Sequence, residues 1–369
     1  MSNVMDYIKE YGSCAFTQMP FSSVDALVLA QLSYIKYSDL FYKEKEKYEK
    51  GEINLRNASH ILKPGQLSSG IMGHMEDEAL LLATANSQRF ANICILNYVN
   101  LIDRVNETQF SAVTFVLDDR TACVAFRGTD QHLLGWKENI KLAFSEVMLS
   151  QKLAKKYLEI TADSFAGKLY VVGHSKGGTL AAYASSMADE KIKNKIIGVY
   201  CFDPPQIPGM NEGIADKMTN VVPRDSLVGL LFGTLDSYIV VDSNKRGIWQ
   251  HDPYSWKIQG EGFVYLLRIG EKAWRKGQVF NRWVGKLSIE EKRKVAQSYY
   301  AIMEVALKEK PKLRDWLRVF RRINHYKLLC LYLIIWKKTC LEMKKREREK
   351  TREISNKLRY ILDNIGKNS

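Results

Sequence analysis

Gly173-His174-Ser175-Lys176-Gly177 sets a serine between two glycines, where the β-branched run Leu169 to Val172 gives way to small residues ending at Ser185 and Ser186. A serine hydroxyl is a weak nucleophile at neutral pH. It becomes useful when a sharp strand-to-helix turn lifts it clear of the backbone, within reach of a base. Glycines two positions to either side let such a turn press against its neighbours without Cβ clashes. The chemistry this spacing points to is attack of the Ser175 oxygen on a carbonyl carbon, which needs a base, a carboxylate behind it and donors for the developing oxyanion.

Six histidines compete for the role of base: His60, His74, His132, His174, His251 and His325. With a nucleophile on this kind of turn, the partners follow in the order serine, acid, histidine, which leaves His251 and His325. His325 lies in a basic tail. His251 sits in Gly247-Ile-Trp-Gln-His251-Asp-Pro-Tyr-Ser-Trp256, directly after the apolar run Tyr238 to Val241, where a late strand should end. Asp225, in the loop after Asn220-Val-Val-Pro223, is the preferred acid. Asp203, in the turn Asp203-Pro-Pro205, is its competitor and also reads as a turn-forming or capping aspartate. Asp242 and Asp252 are too close to His251 in sequence to be first choices.

One oxyanion donor is expected to be the backbone N–H of Lys176, immediately after the nucleophile. Thr129, in Arg127-Gly-Thr-Asp130 after the run Thr121 to Phe126, could supply a second; an ordinary strand-ending turn, with Arg127 as an ion-pair partner, explains the same residues. The Lys176 side chain is a candidate contact for an anionic substrate group, or else an ion-pair partner, because a cation at a helix N-terminus opposes the macrodipole. Trp136 and His174 are further candidate substrate contacts. Segments 131–150 and 229–236 could cover the pocket or pack into the core.

These residues resemble a known family. Phe126-Arg-Gly-Thr129, the Gly-x-Ser-x-Gly elbow, the acid after Val-Pro and the late histidine are similar to the class 3 lipase group of α/β-hydrolases. The elbow Gly-His-Ser-Lys-Gly-Gly178, with Arg-Gly-Thr-Asp130, Gly135-Trp-Lys-Glu138, the stretch Val24 to Tyr34 and Gln250-His-Asp-Pro-Tyr-Ser-Trp256, more narrowly resembles a bacterial family of lipase-like proteins of uncharacterised function. The resemblance spans residues 15–300. It implies an α/β-hydrolase fold, a Ser175–Asp225–His251 triad and Thr129 in the oxyanion hole; it names no substrate, and by this resemblance alone a lipid or other acyl ester is the leading class.

The elements that must position these groups read as α/β. Apolar runs at 111–117, 121–127, 168–173, 196–202, 218–223 and 237–242 alternate with helical stretches at 137–166 and 176–188, which predicts a mostly parallel central sheet flanked by helices. Ser22 caps a helix whose Val24, Leu27, Val28 and Leu32 face a core, residues 42–58 read as an exposed polar helix and loop, and Ser288-Ile-Glu-Glu291 opens a helix as a capping box. The 369 residues are expected to divide into a hydrolase domain, 1–285, and a basic helical C-terminal extension, 286–369.

Residues 310–369 hold 18 Lys and Arg against 6 Asp and Glu, so +12 of the chain's +14 lies there. That charge is expected to lie on a solvated surface or to give peripheral contact with anionic membranes; no nucleic-acid module accompanies it. The longest apolar run, Leu328 to Trp336, is shorter than the roughly 20 residues of a spanning helix. Cys14, Cys94, Cys123, Cys201, Cys330 and Cys340 show no paired spacing, and the first residues do not form a leader, so free thiols and a cytoplasmic setting are expected. No metal-ligand spacing and no glycine-rich phosphate loop is present, so no cofactor is expected.

Overall fold

Val171 and Val172 must point to opposite faces of one strand, and both are fully buried, so the sheet around the elbow needs cover on both sides. A computed structural model describes residues 2–306 apart from 51, 64, 66, 69–73, 131–137, 139–146, 207–211 and 234–236. The strands are β1 (Cys94–Asp103), β2 (Thr108–Asp118), β3 (Thr121–Phe126), β4 (Lys168–His174), β5 (Ile196–Phe202), β6 (Met218–Pro223), β7 (Ile239–Val241), β8 (Ile258–Gln259), β9 (Gly262–Phe263) and β10 (Tyr265–Leu266). The main sheet runs β1-β2-β3-β4-β5-β6-β7-β10, with β8 and β9 paired separately. All pairings from β3 to β7 are parallel, and the edges are antiparallel. A mostly parallel sheet flanked by helices, with the elbow at the end of β4, is the α/β-hydrolase fold.

Strand alternation divides the core. Cys123, Ala125, Val172 and Phe202 face the helix Ser23–Leu32, packing on Val24, Leu27 and Val28. Ala122, Val124, Phe126 and Val171 face the opposite side, against Ala154 and Leu158 of the helix Leu149–Ser164 and Leu180 and Ala184 of the elbow helix Lys176–Ser186. Each Val, Leu or Phe side chain among these contributes roughly 1.5–3 kcal/mol by leaving water.

The helix Ser23–Leu32 begins with the expected cap: Ser22 and Asp25 form a reciprocal capping box. It is buried all round rather than on one stripe, because its polar residues have internal partners. Asp25 pairs with Arg89 at 2.6 Å and accepts from the Tyr7 hydroxyl, and Gln31 reaches Asp77. The polar stretch 42–58 contains the short helices Lys45–Glu49 and Leu55–Ile61, but Ile53, Leu55 and Ala58 are buried, so its second half belongs to the core.

The chain divides into two units, 1–296 and 297–369. Ser288 and Glu291 form the predicted capping bonds at the start of the helix Ile289–Ala306. The basic segment from 310 onward lies outside the described residues, as do Trp136, His132, most of the possible covering segment 131–150 and residues 234–236 of the other, 229–236. Among the described residues no helix is long and apolar enough to cross a membrane. Cys14, Cys94, Cys123 and Cys201 are free, and burial raises the thiol of Cys201 to about 12.

Candidate active site

Ser175 sits at the end of β4 with φ 57° and ψ −132°, a left-handed backbone that L-residues avoid. The flanking glycines explain how the turn fits. A Cβ at Gly173 would meet the Gly177 carbonyl group at 2.2 Å, and one at Gly177 would meet the Phe126 oxygen at 2.1 Å. The elbow is thus clamped between its own helix and β3. The Ser175 N–H donates to the Phe202 carbonyl at 2.8 Å, tying the elbow to the end of β5.

That tie brings the acid into place. Asp203 follows β5 directly, itself at φ 46°, and is fully buried. His251 Nδ1 lies 2.7 Å from Asp203 Oδ2, and His251 Nε2 lies 3.0 Å from Ser175 Oγ. Since a carboxylate can only accept, Nδ1 carries the proton and Nε2 is left to accept from the serine hydroxyl. Ser226 Oγ and the Gly229 N–H donate to the other carboxylate oxygen, Asp203 Oδ1, so the buried anion is fully bonded. The serine–acid–histidine order is kept, and the geometry places Ser175, Asp203 and His251 in one hydrogen-bonded line.

Asp225 is not the partner of His251, contrary to the preferred sequence reading. It follows β6, one strand further from β4 than Asp203 is. Its N–H donates to Gln250 Oε1 at 2.6 Å, while its carboxylate turns toward Gly270, where a Cβ would come within 2.5 Å of Oδ1. Asp242 and Asp252 are likewise occupied elsewhere, by Lys257 and Lys245.

Lys176 is corrected as well. Its side chain is 1% exposed, and Nζ donates to Glu138 Oε2 and to the Gln109 carbonyl, each at 2.7 Å. Glu138 Oε2 also accepts the Gln109 N–H at 3.1 Å. The ammonium is therefore spent inside the protein and is not available to a substrate. Its backbone N–H, first in the elbow helix, is one of the donors that a helix start leaves without an intrahelical acceptor.

The Arg127-Gly-Thr129 loop does reach the nucleophile. A Cβ at Gly128 would lie 3.2 Å from Ser175 Cβ and 2.7 Å from the His174 oxygen, so only glycine lets β3's outgoing loop pass this close. Thr129 is buried beside it, and Arg127 is a buried ion-pair partner of Asp130 at 3.2 Å. His174 is not placed for substrate contact, because Tyr34 and the His251 carbonyl take its two ring nitrogens. Sequence reasoning missed Tyr34, Ser226, Gly229 and Gln250 as supports. Of these, Tyr34 and Gln250 carried a signal, one closing the stretch Val24 to Tyr34 and the other opening Gln250 to Trp256.

The segment after the base is anchored from behind. Asp77, 1% exposed, accepts hydrogen bonds from Tyr254 Oη at 2.7 Å and Ser68 Oγ at 2.5 Å. Burial pushes its carboxyl from an ordinary 3.8 up to about 8. The folded value is raised, so the cost of ionising Asp77 is absent below about pH 4, grows between about 4 and 8, and is complete above that. Asp77→Asn is expected to be more stable than the parent by a few kcal/mol at about pH 9 and equal to it near pH 4. Melting curves at both pH values check this; a difference independent of pH would refute it.

A family model described as Mbeg1-like matches residues 84–301, more than half of the chain and including every residue of the Ser175–His251–Asp203 line. The chain belongs to the Mbeg1-like family. No curated protein sequence is significantly similar to this Mbeg1-like chain. Among solved structures it is similar to lipase II from Rhizopus niveus, at 12% identity over 66% of this chain and 86% of that one, with a TM-score of 0.37. It is also similar to a lipase from Yarrowia lipolytica (13% identity, 62% and 86% covered, TM-score 0.32) and to the Rhizomucor miehei lipase propeptide complex (13%, 60% and 68%, 0.32). Among its described residues no group of three or more His, Cys, Asp or Glu could hold a metal ion.

Proposed function

We propose that this protein is a serine hydrolase that cleaves a carboxylic ester, of a lipid or another acyl compound, by acyl transfer. One observation carries the reading: His251 stands between Ser175 Oγ at 3.0 Å and Asp203 Oδ2 at 2.7 Å. His251 Nε2 takes the hydroxyl proton as Ser175 Oγ bonds to the ester carbon. Asp203 holds the imidazole in the required tautomer and stabilises the imidazolium that forms. The carbonyl oxygen, now negative, is held by the N–H of Lys176 and by donors of Thr129. Collapse of the tetrahedral intermediate breaks the ester C–O bond, and the imidazolium gives its proton to the departing alkoxide. Water, deprotonated by His251, then attacks the acyl-enzyme, releasing the carboxylic acid and restoring Ser175.

Turnover of short- and long-chain p-nitrophenyl esters, together with labelling by a fluorophosphonate probe, tests this. The parent is expected to label once, at Ser175, and Ser175→Ala to lose the label and roughly 10⁶-fold in kcat. A folded parent that neither labels nor turns over any ester would make the fold a binding module instead. The +12 of residues 310–369 supports a peripheral contact with anionic bilayers. Sedimentation with phosphatidylserine vesicles before and after truncation at Lys310 tests it; equal pelleting would exclude it.

A further inference from the structure

We propose that His174 is a positioning residue: a neutral, tautomer-locked strut that, with Tyr34, ties the base loop and the oxyanion loop to the elbow and so sets the line between His251 and Ser175. The inference rests on the hydrolase reading and deepens it. His174 is the residue before the nucleophile, so its backbone is already held by the elbow. Its ring is buried and lies against that of His251, with centroids 4.6 Å apart and an interplanar angle of 35°. His174 Nε2 is 2.9 Å from the carbonyl oxygen of His251, and Nδ1 is 3.1 Å from Tyr34 Oη.

Chemistry fixes the direction of each bond. A carbonyl can only accept, so Nε2 must carry the proton; in a neutral ring Nδ1 is then bare, and the Tyr34 hydroxyl must donate to it. The Gly128 backbone passes directly against the Tyr34 oxygen, where a Cβ would come within 2.2 Å of it. The chain therefore runs from the Tyr34 hydroxyl through His174 to the His251 carbonyl with every proton assigned, and the loop after β3 packs against its start at Gly128.

The strut works only while neutral. During attack His251 becomes an imidazolium, and a second positive ring 4.6 Å away would oppose it. Burial, and next the neighbouring His251, hold the His174 pKa well below its usual range, so the ring stays uncharged beside its working neighbour. The carbonyl bond meanwhile restrains the His251 backbone, and a displacement of about 1 Å in such a group can cost about 10²-fold in rate.

Two variants and one spectrum test this. The Gln amide in His174→Gln can still donate to the His251 carbonyl and accept from Tyr34, whereas His174→Leu fills space and does neither. The expected result is kcat within about threefold of the parent for Gln and about 10²-fold lower for Leu, with KM within about threefold in both. A Leu variant with parental kcat would overturn the proposal, as would equal losses in both variants at parental melting temperature. The spectrum needs neither activity nor a folded variant. In ¹⁵N-histidine-labelled parent, the His174 resonances should report an Nε2–H tautomer that stays unprotonated well below the ordinary histidine range. An Nδ1–H tautomer, or protonation near pH 6.5, refutes the strut. A parent with the expected spectrum and no esterase activity would sink the hydrolase reading and leave the hydrogen-bonded chain standing.

Discussion

Asp203→Asn is expected to lower kcat for ester hydrolysis about 10⁴-fold, and Asp225→Asn to leave it within about threefold. An asparagine at 203 keeps the volume, and it tolerates the local φ of 46° better than most residues, so the turn should survive. What it removes is the anion facing His251 Nδ1, at 2.7 Å. An amide there can present N–H to the imidazole, favouring the tautomer with its proton on Nε2, which cannot accept from Ser175. The asparagine at 225 changes a carboxylate that faces Gly270 and leaves its own N–H bonded to Gln250. Steady-state kinetics of both variants on one p-nitrophenyl ester decide the matter: a large loss in Asp225→Asn with little in Asp203→Asn would reverse the assignment.

The second large effect is on stability. Lys176 and Glu138 are 1% and 2% exposed at their side chains and 2.7 Å apart. Removing one partner leaves the other charge without its counter-ion in a medium that solvates it poorly. Glu138→Gln is therefore expected to cost about 3–5 kcal/mol, a fall on the order of 10 °C in melting temperature. Replacing both at once, Lys176→Met with Glu138→Leu, removes the buried charges together and should recover most of that loss. Calorimetry of the single and double variants checks it, and a double variant as unstable as the worse single one would contradict it. The folded double variant should keep its ester turnover within about tenfold, because Lys176 offers the reaction only its backbone N–H.

The elbow and the histidine beside it were legible because each is a local pattern: a β-branched strand, a glycine-flanked serine and a small-residue helix in one case, a histidine just past a late apolar strand in the other. The six sheet strands from β2 to β7 were legible for the same reason, each being a short apolar run. β1 was not. It lies at the sheet edge with mostly half-exposed or exposed residues, and its ladder is interrupted between Leu96 and Val99, so no clean alternation marks it.

The carboxylate that lies against His251 was not the preferred one because chain order admits both Asp203 and Asp225, and order says nothing about which strand lies beside β4. Strand adjacency decides it, and β5 is the neighbour. Lys176 was half-read: the cost of a cation at a helix start called for a compensating contact, but no local pattern could locate that contact at Glu138, 38 residues back in the chain. Tyr34 was beyond reach for a similar reason, its partner His174 being 140 residues away.

Ser175 and Asp203 share one property: both are held at positive φ, 57° and 46°. Neither is glycine, and such a backbone persists only while its surroundings insist on it. Gentle warming that loosens those surroundings lets the two turns relax to easier angles while the strands beneath stay paired. Turnover is then expected to fade while the far-ultraviolet circular dichroism is still native, its loss following the two turns rather than the melting of the sheet.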